Sequence, residues 1–154
     1  MSSLALVGVG NEWRSDDALG ILVVRELKRR FPGSVRVIEV ANEGTSLIEA
    51  MDGVEGVILV DALSSSDPPG TVLRFDLSHS GVPATVSTPV GHAFGLTGAV
   101  ELARRLHRLP PVVLLYGIVG KCFDLGTGLS DCVVKSIPEL MQRIEEDLQA
   151  ARAA

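Results

Sequence analysis

The 154-residue chain is 46% hydrophobic and 21% charged, the balance of a globular protein with one buried core, so a single domain spanning 1–154 is expected. Its formal net charge of −5 argues against a general nucleic-acid binder, which shows a basic face. Two cysteines outside CxxC spacing, no basic leader with a cleavage site, and no apolar run near the roughly 18–20 residues of a membrane span set the expectation of a reduced, cytoplasmic protein with no nucleic-acid or membrane partner.

The pattern alternates strand and helix. Residues 3–9, SLALVGV, form an apolar run ending at glycine, which predicts a strand buried on both faces. Ser15 can cap a helix whose apolar positions Ala18, Ile21, Val24, Leu27 and Phe31 recur every three to four residues, and Pro32-Gly33 stops it. A second strand follows at 35–41, then a short helix at 45–51. The third strand, 56–62, is GVILVDA, its apolar run ending at Asp61. The loop 63–70 is too short for a parallel crossover, so the strand at 71–77 should run antiparallel to the third. A long loop, 78–93, leads to a helix at 94–108 with Leu96, Val100, Ala103 and Leu106 on one face. A fifth strand occupies 112–118. The last helix, opened by Ser130, has Val133, Ile137, Leu140, Ile144 and Leu148 in register. The expected fold is α/β: a three-layer α/β/α sandwich around a mixed, mostly parallel five-stranded sheet.

Ligands in open α/β sheets gather at the carboxyl ends of strands. Three polar segments should reach that edge: the turn from Gly10 to Asp17, the strand end at Asp61, and the loop 89-PVGHAFGL-96 with His92. Two carboxylates and an imidazole form a plausible set for a divalent transition metal, leaving a position open for water or substrate. Each residue has a plainer reading as well. Asp16 and Asp17 suit a helix N-terminus on dipole grounds, Asp61 a turn cap, and His92 a surface position. His79 and His107 sit in a polar loop and near a helix end.

Other chemistries fit less well. A dinucleotide fingerprint needs a third glycine that GVGNEW lacks, and adjacent acids would repel a pyrophosphate by about 1 kcal/mol per charge pair at roughly 4 Å even in water. Glu39 could imitate a ribose-binding acid, but the loop does not support it. Gly120-Lys121-Cys122 lacks the hydroxyl of a Walker loop. Cys122 with His92 as base is a possible nucleophile with no local sign of activation, and Ser64-Ser65-Ser66 has no nucleophile elbow.

Taken in order, 6-LVGVGNEWRSDDALG-20, 57-VILVDA-62, 92-HAFGL-96 and 117-GIVGKCFDLGTGLSD-131 resemble the hydrogenase maturation endopeptidases, peptidase family M52, over roughly residues 4–148. The resemblance implies that Asp17, Asp61 and His92 contact nickel and carry the catalysis. It implies an endopeptidase that removes a C-terminal extension from the large-subunit precursor of a [NiFe] hydrogenase after nickel insertion. The partner is then the nickel-loaded precursor, and nickel arrives with that substrate rather than being permanently bound. The family's D-G-G-T-like turn reads 42-NEGT-45 here, so Asn42, Gly44 and Thr45 are expected to contact substrate, with an amide where an acid is usual. That departure keeps a second reading open: a non-hydrolytic, metal-sensing or assembly-binding protein of hydrogenase maturation.

Overall fold

The computed structural model describes residues 3–33, 35–41, 44–88 and 95–153. In chain order the elements are β1 (Leu4–Val9), a 3-10 turn (Ser15–Ala18), α1 (Leu19–Arg30), β2 (Arg36–Val40), α2 (Gly44–Met51), β3 (Gly56–Ser65), β4 (Val72–Asp76), β5 (Val86–Ser87), α3 (Leu96–Arg105), β6 (Val112–Val119) and α4 (Asp131–Ala153). The main sheet runs β2-β1-β3-β6-β4, with β5 paired to the end of β3. β1, β2, β3 and β6 are parallel, so their carboxyl ends share one edge.

Period-two alternation sorts the strand residues between two apolar layers. Ala5, Val7, Val57, Leu59, Val113 and Leu115 face α2 and α3, meeting Leu47, Met51, Val100 and Ala103. Leu6, Ile58, Val60, Leu114, Tyr116 and Ile118 face α1 and α4, meeting Val24, Leu27, Leu140 and Ile144. This is the expected three-layer sandwich. Burying each such side chain is worth about 1.5–3 kcal/mol, so helical and strand periodicities that agree on the same core specify the fold strongly. On the α4 side the Tyr116 hydroxyl donates to the Asp147 carboxylate. Arg74 Nε of β4 donates to Tyr116 Oη at 3.0 Å and to Asp147 at 3.1 Å, fastening edge strand and helix to β6.

Several expectations need correction. The sheet has six strands rather than five, because β5 adds two residues opposite Ser64 and Ser65, too few to show periodicity. β4 runs opposite to β3, as expected, but it pairs with β6 at the sheet edge, since β1 and β6 already flank β3. Ser15 does not cap α1. It lies inside the 3-10 turn with φ of 53°, and its hydroxyl donates to the Asp124 carbonyl at 2.8 Å. α3 ends at Arg105 rather than 108, where His107 takes a φ of 56°, and Leu106 is consequently exposed.

Candidate active site

The glycines of the opening turn serve packing. A Cβ on Gly8 would lie 2.4 Å from the Gly20 carbonyl oxygen; one on Gly20 would lie 2.2 Å from that of Val60 and 2.4 Å from that of Val9. Only two bare α-carbons let the start of α1 settle against β1 and β3 this closely. Gly10 continues the contact, since a Cβ there would lie 2.0 Å from the Asp17 carbonyl oxygen. The Asn11 amide donates to that same oxygen at 3.1 Å, and the Gly10 amide donates to Val40 at 3.1 Å. Asp17 is thereby pinned at the shared carboxyl edge of the sheet.

The adjacent aspartates have different partners. Asp16 is fully buried, and its carboxylate accepts from the Lys121 amide (2.8 Å), the Cys122 amide (3.0 Å), the Ser130 amide (2.7 Å) and the Ser130 hydroxyl (2.8 Å). Burial alone would push this carboxyl up. The Ser130, Cys122 and Lys121 amides with the Ser130 hydroxyl outweigh it and hold the group below its usual range. Asp16 is thus an ionised tie between the opening turn, the loop after β6 and the start of α4. The sequence reading treated it as a helix-terminus acid and missed this role, because the donors lie more than a hundred residues away.

Asp61 presents the opposite case. It stands on the α2/α3 face of β3, between Leu59 and Leu63 in the same apolar row, and is fully buried. Its neighbour across the ladder is Gly117, which contributes no side chain. Among the described residues, no N–H or O–H makes a well-formed hydrogen bond to either carboxylate oxygen of Asp61. Burial first, and the Asp17 charge second, push its carboxyl well above the ordinary range, against a weaker opposing pull from the Ala62 amide. That coupling places Asp17, also fully buried, within electrostatic reach of Asp61. Two acids remote in sequence are therefore buried within reach of each other.

His92 and Asn42 lie outside the described residues. Gly44 and Thr45 open α2, one of the two helices on the Asp61 face, and the Thr45 side chain is exposed. Among the described residues no group of three metal-ligating side chains converges, and of the three expected ligands only Asp17 and Asp61 lie among the described residues. Cys122 looks elsewhere: it lines a separate cleft with Lys121, Ser130 and Cys132, and its thiol lies 3.7 Å from the Asp124 carboxylate.

A family model described as hydrogenase maturation protease matches residues 21–147. The chain belongs to that family. The hydrogenase 2 maturation protease of Escherichia coli strain K12 is 26% identical over 145 residues, covering 92% of this chain and 87% of the other. Among solved structures, a [NiFe] hydrogenase maturation protease from Thermococcus kodakarensis superposes with a TM-score of 0.73 at 26% identity, over 94% of this chain and 97% of that one. The hydrogenase maturating endopeptidase of E. coli gives 0.79 at 22% identity, over 97% and 93%, and supports the fold alone. The maturation-protease family makes the chain an enzyme that hydrolyses peptide bonds, which answers the non-hydrolytic reading. No helix among the described residues is long and apolar enough to cross a membrane.

Proposed function

We propose that this maturation protease acts in the cytoplasm, removing the C-terminal extension of a [NiFe] hydrogenase large-subunit precursor once nickel is in place. In this reading Asp17, Asp61 and His92 together receive the nickel that the precursor presents. The observation that carries it is Asp61, a fully buried acid whose oxygens accept no well-formed hydrogen bond among the described residues, with a second acid beside it. An unpaired buried acid is costly for a fold, and a cation is the chemistry that relieves both carboxylates at once.

His92 stands five residues beyond Ser87, whose ladder partner Ser64 follows Asp61 by three residues. Five extended residues span up to about 17 Å, enough for the imidazole to reach the pair. Two or three protein ligands suit a metal already held by the precursor, because such an ion accepts only a partial shell from a second protein. Nickel, as part of the substrate, would polarise the scissile carbonyl. Of the two acids, the one left uncoordinated when the ion is in place would take the proton from the attacking water. Asn42, Gly44 and Thr45 would contact the precursor at the start of α2.

The test is direct. Purified protein is incubated with nickel-loaded and nickel-free precursor, and the large subunit is weighed by mass spectrometry. Shortening of the loaded form alone is expected. Equal shortening of both forms would remove nickel from the reading, and binding without shortening would return the chain to the role of an assembly partner.

A further inference from the structure

The two most exposed large apolar side chains among the described residues are Trp13, at 65%, and Leu125, at 76%. They belong to different loops, yet the loops are laced together. The Gly126 amide donates to the Trp13 carbonyl at 2.9 Å, the Ser15 amide donates to the Gly126 carbonyl at 3.0 Å, and Arg14 and Gly126 form a bridge. Beneath this lacing lies Asp16, whose buried carboxylate ties the same two loops together. Trp13 and Leu125 are therefore held by main-chain bonds on a stiff base, and neither side chain joins either apolar core. Exposed apolar groups on a hydrogen-bonded main chain gain nothing within the chain. They are what an interface uses, since aromatic anchors that lose little entropy on docking dominate binding energy.

Position identifies the occupant. Trp13 precedes Asp17 by four residues on the same pinned turn and also walls an open cleft with Asn11, Ile21 and Ala41. In the processing reading the precursor brings its ion to Asp17, so its folded body approaches this turn. Leu125, on the adjoining loop, does not line that cleft, so a free peptide tail held there would leave it uncovered. We propose that Trp13 and Leu125 form a docking ridge for the folded body of the hydrogenase precursor, distinct from the groups that handle its tail. The inference rests on the processing reading above and adds how the enzyme tells a finished, folded precursor from a loose tail of the same sequence.

The experiment uses nickel-loaded large-subunit precursor and compares wild type with Trp13→Ala/Leu125→Ala. The apparent KM should rise tenfold or more, with kcat changed less than about twofold. Leu125→Glu is the second variant; its side chain is the more exposed, so the fold should survive, and KM should rise similarly. Val112→Ala, an exposed residue where β6 begins at the opposite edge of the sheet, should leave KM unchanged. Unaltered KM in both ridge variants overturns the proposal. So does a wild-type dimer in solution that the ridge variants convert to monomer without affecting KM, because the ridge would then join two copies of this chain. Should wild type fail to shorten the precursor, the processing reading is what has failed. Calorimetric titration of the precursor into wild type and double variant then decides the ridge: weakened binding upholds it and equal affinity overturns it.

Discussion

Replacing Asp61 by Asn keeps the shape of the side chain and removes its charge, so the substitution should stabilise the protein while abolishing processing. The sign follows from linkage. The native carboxyl titrates well above its ordinary value, so between the two pKa values the folded protein holds a proton that the unfolded chain has released. Stability therefore falls as pH rises through that window. Each pH unit inside it removes up to about 1.4 kcal/mol, the free-energy equivalent of one pKa unit. Asp17 shares in the titration, so the slope belongs to the pair, and Asp61→Asn relieves both acids. A wild-type loss of about 1.4 kcal/mol over one pH unit inside that window corresponds to roughly 3–6 °C in a domain of this size. Thermal melts of both proteins at pH 5 and pH 6 are the assay, because carboxylates with lowered pKa cancel in the difference. The gap in Tm should widen in favour of Asp61→Asn as pH rises. Parallel profiles, or a gap that narrows, would show that a donor reaches Asp61 in the native state.

Asp17→Asn and His92→Ala should each reduce precursor processing to background by mass spectrometry while the circular dichroism spectrum stays native; full activity in either would remove that residue from the site. Asp16→Ala should cost about 3 kcal/mol or more in urea unfolding, because three buried amides and a hydroxyl lose their acceptor. As the Asp16 carboxyl is held low, its contribution is present above the ordinary carboxylate pKa and is lost as pH falls through its native value, so the wild-type advantage over Asp16→Ala should shrink only in strong acid. Cys122→Ser should leave processing measurable, since its thiol faces a different cleft; complete loss with a normal fold would revive a thiol mechanism.

The layers and the parallel sheet were legible because strands such as 56-GVILVDA-62 and the helix from Val133 to Leu148 bury residues at the period their geometry requires. The nearness of Asp17 to Asp61 was legible for a related reason: Asp17 lies in the turn that follows β1, and Asp61, inside β3, comes just after the last residue that pairs with β1. Local pattern could not show what Asp16 does, since its four donors come from Lys121, Cys122 and Ser130. Nor could it separate two adjacent aspartates, one satisfied and ionised, the other beside a second acid. The opening glycines resembled a phosphate cradle because close helix-to-strand packing and close approach to a ligand both require a missing Cβ.

The Asp16 tie spans 105 residues to Lys121 and 114 to Ser130. During synthesis, then, the opening turn, the loop after β6 and the start of α4 can be joined through Asp16 only once residue 130, more than eight-tenths of the way along the polypeptide, has been made. Fragments ending before β6 can pair β1 with β2 and β3 and seat Gly20 against both, but their Asp16 carboxylate has none of its four donors. The last link between the turn that carries Asp17 and the rest of the molecule thus closes only as α4 begins.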